Sequence, residues 1–372
     1  MKDGGKISQN QIRTLIILSI AGTAMLDMPG TLALEIKQDA WIAAVIGVIG
    51  GVFIANLYNR LAAQMSNMTL MEYSEKVMGK WLGALFSIFF LIFLVLNCSR
   101  IVYMVGNFMT TQIMPETSML MMNVLILIPA VIGTRLGLEP IARSAEVFFP
   151  WILTGFILMA VFAFLDIKLI NIQPIFESGV KPVLWSVILF ESFTNLTVIV
   201  FLMFYPVCAG NLKEAGRAFS SGVLIAGIMI MIQTILCILS LEPYGTVHNV
   251  YPSYILAKNI TVGRQIERLE SIIAMVWIIS IYYKINLYFY AAALGITQIF
   301  KLRDYKSLTI PLAILVVYFS LIIYPNSVYY RNWDTTTWVS HILTNGLFIP
   351  VLLLILGKVT NKKKENTNNG EG

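Results

Sequence analysis

Ten stretches of this chain are apolar over lengths close to the ~20 residues that a helix needs to cross a lipid bilayer. They cover residues 12–34, 41–61, 82–105, 119–132, 147–165, 183–207, 219–241, 272–299, 308–324 and 339–356. The fourth is short and is extended into the flanking Thr117 and Thr134. With 58% hydrophobic and 12% charged residues and a mean hydropathy of +0.77, the chain does not have the composition of a soluble globule. The reading is an all-α integral membrane protein with ten transmembrane helices in a single domain, 1–357. A polar, low-complexity tail over 358–372 is expected to be disordered.

The basic start and the apolar stretch "TLIILSIAGTAML" superficially fit a secretory signal, but the hydrophobicity runs on to Leu34 and is read as a first spanning helix. An even number of spans puts both termini on one side. If that side is cytoplasmic, its segments hold seventeen of the 26 basic residues and the outer loops hold seven, which obeys the positive-inside rule. The same bias accounts for the pI of 9.1 without a nucleic-acid partner. Cys98, Cys208 and Cys237 form neither a disulfide framework nor a zinc motif, and His248 and His341 are isolated. No metal and no cofactor is expected.

Two connections carry more than linker chemistry. Thr69-Leu70-Met71-Glu72 reads as a capping box that opens a short amphipathic helix on the inner surface, with Leu70, Tyr73 and Val77 on one face. In the outer connection 242–270, Pro252 suits a helix start, and Tyr251, Tyr254, Ile255 and Leu256 suit a lid over a cavity.

Four ionisable residues fall within the apolar runs, where such groups are functional candidates: Asp27, Arg100, Glu191 and Lys284. Lys284 lies about twelve residues, or about 18 Å, from either end of its run, beyond the reach of snorkelling. Arg100 is only about five residues from the outer end and either snorkels or serves a polar core. Asp27 closely follows Gly22, Thr23 and Ala24 and precedes Pro29-Gly30, where the backbone of the first helix is expected to loosen. Asp27 either caps that backbone or pairs with a cation, Lys284 first and Arg100 second. Glu191 is followed by Ser192, Thr194, Asn195 and Thr197, the densest polar cluster in any of the runs, which also suits interhelical hydrogen bonding.

Spans one and six open two five-helix halves, about 11–165 and 183–357. Inverted-repeat transporters place their sites where discontinuous helices of the two halves meet. Discontinuous helices 1 and 6 are therefore expected, with a half-helix N-terminus after Gly22 offering amides to the carboxylate of a small zwitterion.

"GTAMLDMPGTLALEIKQDAWI", "VFLMFYP" and "IERLESIIAMVWIISIYYKINLYFYAAALG" resemble the B subunits of bacterial spore germinant receptors, members of the amino acid, polyamine and organocation transporter superfamily. The likeness runs over nearly the whole chain. It implies a five-plus-five inverted-repeat fold of the LeuT type in a spore inner membrane. It also implies a small nutrient ligand, an amino acid, and A-type and C-type partner subunits. The ligand-binding residues carried over are Gly22, Thr23 and Ala24 with Phe190, Glu191, Ser192, Asn195 and Thr197. Where this kind of helix carries a glycine and an acidic residue in many members, this chain has Leu196, Thr197 and Val198. Lys284 is expected to stand where related transporters bind sodium, bridging spans one and eight.

A proton-coupled amino-acid permease using Lys284 or Asp27 is the alternative to a receptor. A membrane-embedded enzyme is not expected, because no HExxH, GxSxG or GxxxxGK[ST] motif occurs.

Overall fold

The computed structural model describes residues 6–259 and 269–369, which form helices joined by short turns. Residues 1–5, 260–268 and 370–372 lie outside the described residues; they include Lys2, Arg264 and Arg268 of the charge count and the end of the tail. In chain order the helices are α1 Gln9–Ile36, α2 Ala40–Met65, α3 Leu70–Met78, α4 Lys80–Phe108, α5 Met119–Leu136, α6 Leu138–Phe164 and α7 Val180–Phe193. A 3-10 segment, Leu196–Met203, leads to α8 Tyr205–Cys208. Then follow α9 Leu212–His248, α10 Pro252–Asn259, α11 Leu269–Ile299, α12 Thr309–Ile322, α13 Ser327–Thr335, α14 Thr337–Leu343 and α15 Ile349–Asn369. Within α9, Glu242 has φ 62° and marks a kink just before Pro243.

Among the described residues, eight stretches are long and apolar enough to cross a membrane. One of them, Gln9–Met65, is 57 residues long and holds both α1 and α2, divided by a 3-10 turn at Lys37–Asp39. The run expected at 308–324 falls on a shorter apolar helix, so ten separate spans follow only if α1 and α2 are counted apart and this helix is included.

α1 lies at the centre, packed on α9, α11, α7 and α6. The break expected in this first helix is not formed: α1 is continuous through Gly22 and Pro29. Two contacts explain why. Pro29 has no N–H for the Met25 carbonyl one turn back, and the Ser253 hydroxyl on α10 donates to that carbonyl instead, at 2.6 Å. Gly22 is small because α11 passes there: a Cβ on it would come within 2.8 Å of the Ile281 Cα. The half-helix N-terminus expected after Gly22 therefore does not exist.

The region around Pro252 is part of the core. Tyr251, Tyr254 and Leu256 are buried, and the Pro252 ring fits against Gly30. Replacing Ser253 with alanine is expected to cost about 1–3 kcal/mol by stranding the Met25 carbonyl. The double change Ser253→Ala with Pro29→Ala should recover much of this, because residue 29 then supplies the missing N–H. Thermal unfolding of the three variants in detergent checks it, and a fully additive result would exclude the link.

The discontinuity expected in span six is present. α7 stops at Phe193, and the chain turns through Thr194 (φ −105°, ψ −85°) into the 3-10 segment. Local chemistry favours this. The Thr194 hydroxyl donates to the Phe190 carbonyl, and that of Thr197 donates to the Thr194 carbonyl at 2.7 Å. A run of β-branched residues follows at Thr197–Val200.

The capping box forms as expected: Glu72 N–H donates to Thr69 Oγ1 at 3.2 Å, and Thr69 N–H to Glu72 Oε2 at 2.9 Å. Leu70 and Tyr73 are buried, and Val77 packs partly against the core. At the C-terminal end α15 runs from Ile349 to Asn369, into the polar tail. A helix already nucleated in its apolar part extends without a further nucleation cost, which brings residues 358–369 into helix despite their polarity.

Candidate functional site

The broken span, α1 and α11 meet at Lys284. Its side chain is buried, with the residue 1% exposed, and its Nζ donates to Thr23 Oγ1 on α1 at 2.6 Å and to Thr197 Oγ1 at 3.2 Å. Thr197 sits on the 3-10 segment, so one amine ties three elements together. The ion pairs among the described residues are Arg100–Asp334, Arg143–Glu139 and Lys168–Glu242, and Lys284 is in none of them.

Carbonyls left over by the break are taken up by tyrosines from facing helices. Tyr288 OH on α11 donates to the Thr197 carbonyl at 2.6 Å. Tyr58 OH on α2 reaches the Leu196 carbonyl at 3.3 Å and the Gly346 carbonyl at 2.6 Å. Gly346 lies in a π-helical turn, Thr344–Phe348, between α14 and α15. Buried polar backbone thus finds protein partners where lipid offers none.

Of the ligand residues expected from the sequence, only Thr23 and Thr197 come together around Lys284. Gly22 is a helix-crossing contact with α11, and Ala24 is a buried apolar residue. Ser192 donates back to the Ile188 carbonyl of its own helix at 2.7 Å. Phe190, Glu191 and Asn195 face α2, where Gly47, Gly50 and Gly51 respectively make room for them. There Asn195 Nδ2 donates to Glu191 Oε2 at 2.8 Å. The glycine stripe of α2 was not singled out from the sequence, although its i, i+3, i+4 spacing is the pattern of a close helix contact.

The expected pairing of Asp27 with Lys284 is replaced by other contacts. Asp27 Oδ2 accepts from Tyr330 OH at 3.3 Å. With Gly30, Thr31, Leu34, Val250, Tyr330, Asp334 and Thr335 it lines a narrow cleft of about 40 Å³, room for a few waters.

Arg100 does not snorkel. It is 3% exposed and binds Asp334 with two parallel hydrogen bonds, Nε to Oδ1 at 2.9 Å and Nη2 to Oδ2 at 2.7 Å. Its guanidinium carbon lies 4.7 Å from the Trp338 ring centroid, 5.1 Å from that of Phe193 and 6.0 Å from that of Tyr330. Cation–π attraction adds to the pair in this dry setting. Sequence reading missed Asp334 because "YYRNWDTTTW" lies between two apolar runs and reads as loop.

Sequence comparison matches residues 6–328 to the family described as Spore germination protein. Similar proteins include Spore germination protein KB of Bacillus subtilis (strain 168), 26% identical over 375 residues and covering 98% of both chains. Spore germination protein YndE of the same strain is 28% identical over 365 residues, covering 95% of this chain and 96% of that one. Among solved structures, MhsT in complex with L-phenylalanine superimposes with a TM-score of 0.69 at 12% identity, covering 95% of this chain and 98% of MhsT. Mhp1, a nucleobase-cation-symport-1 family transporter, gives 0.66 at 12% identity, covering 94% and 78%. The fold is that of LeuT-type transporters.

Proposed function

Since this chain belongs to the spore germination protein family, we propose that it is the membrane subunit of a germinant receptor, binding a small nutrient, an amino acid, near the middle of the bilayer. Family and fold are of transporter and receptor type, and the chain is a multi-pass membrane protein. In this reading it triggers germination with A-type and C-type subunits, in the spore inner membrane, with both termini cytoplasmic.

One observation carries the reading: the break in span six lies against α1 at Lys284, in a fold whose neighbour MhsT holds L-phenylalanine. The carboxylate of the nutrient takes the Lys284 amine, displacing Thr23 or Thr197, rather than amides of α1. Asp334 and Tyr330 line the Asp27 cleft, and Arg100 joins them to the rings of Phe193 and Trp338. A permease reading draws on the same amine, since a buried basic group without an ion pair suits proton coupling.

Thermal unfolding of the purified chain with each common amino acid tests this. A ligand at 100 times its Kd should raise stability by about 2.7 kcal/mol. If no amino acid stabilises the protein, the nutrient site is wrong. In sealed vesicles a receptor binds without accumulation, whereas uptake driven by a pH gradient would establish the permease.

A further inference from the structure

Where α2 ends and α9 begins, a groove of about 700 Å³ runs between the two helices, and Lys284 is not among its lining residues. It is lined by Asn56, Asn59, Arg60, Ala63, Leu212, Lys213, Gly216, Arg217 and Ser220. Arg60, Lys213 and Arg217 take part in none of the ion pairs among the described residues. The nearby acid Glu214 is engaged by the Gln9 side chain. The floor is fixed: Asn59 Nδ2 donates to the Gly216 carbonyl at 2.9 Å and to Ser220 Oγ at 3.0 Å, and Tyr205 OH donates to Asn59 Oδ1 at 3.2 Å.

The outward faces of both helices continue from this groove along the bundle, and both turn apolar. On one face of α2 the exposed residues include Ile46, Ile49 and Phe53, the last 71% exposed, before Asn56 and Arg60. On α9 they include Lys213 and Arg217, then Leu224 and Ile228. Spacings of three and four on α2, and of four and seven on α9, keep each set on one helix face. Two antiparallel helices thus present cations at one end and continuous apolar stripes above them.

We propose that this groove is a binding site for an anionic phospholipid, with the phosphate held by Arg60, Lys213 and Arg217 and the acyl chains lying along the Ile49–Phe53 and Leu224–Ile228 stripes. Charge selects the headgroup, since basic pockets between membrane helices attract anionic lipid. The stripes select a lipid over a free anion. A lipid seated here joins α2, whose glycines receive the broken span, to α9, which packs along α1.

The test uses the full chain in neutral detergent, with native mass spectrometry and thermal unfolding. Phosphatidylglycerol should be retained and should stabilise, in preference to phosphatidylcholine. Each of Arg60→Gln, Lys213→Gln and Arg217→Gln should lower its apparent affinity about fivefold, and the triple variant should show no preference. These side chains lie at the surface, so the single variants keep the readout if the triple variant does not fold. Equal retention of both lipids, or an undiminished preference in the variants, overturns the site. Inorganic phosphate or glycerophosphoglycerol matching the lipid would reassign the groove to a free anion and overturn the lipid proposal.

Discussion

Changing Asp334 to asparagine is expected to lower stability by about 3–5 kcal/mol, the cost of leaving a buried guanidinium without its counter-charge. Arg100 is 3% exposed, and three aromatic rings lie around it. Arg100→Met with Asp334→Leu should restore much of the loss, because a buried ion pair is often replaceable by apolar residues of similar size at little cost. A double-mutant cycle on thermal unfolding in detergent measures the coupling. Additive single changes would mean that the two residues do not act as a pair.

The second large effect is on binding. Lys284→Met is expected to reduce nutrient affinity on the order of tenfold to a hundredfold, the range for losing a charge-assisted hydrogen bond of about 1.5–3 kcal/mol. Its melting temperature should hold or rise, since the variant removes a buried amine that has no ion-pair partner. Arg100→Met should behave in the opposite way, losing stability through a stranded Asp334. If Lys284 occupies the place of a bound cation, the nutrient-dependent thermal shift is the same in sodium and in choline chloride. A strict sodium requirement would overturn that role.

The polar cluster of span six shows how far a sequence can be read. Its break was expected from the place of span six at the opening of the second half, and the structure adds the local cause, threonines that bond to their own backbone. Which way each residue points was not legible. Glu191 and Asn195 turn to the glycines of α2 while Thr197 turns to Lys284, and this depends on how the span is rotated against its neighbours. The first span shows the reverse error. Gly22, Pro29 and Gly30 looked like a break, yet each marks a place where another helix touches α1: α11 at Ile281, and α10 at Ser253 and Pro252.

The amino-acid sequence by itself determined the membrane class, the position of most helices, the capped helix at Thr69 and the presence of Lys284 and Arg100 within apolar helices. Each follows from hydropathy, spacing or the cost of a charge in hydrocarbon, which are properties of one segment at a time. Tertiary structure decided the partners: Asp334 for Arg100 across 234 positions, Ser253 for Met25 across 228, and Thr23 for Lys284 across 261. Bilayer thickness fixes helix length, but depth and rotation are set by where small residues let helices approach. A partner more than two hundred residues away is therefore specified only once the bundle has packed.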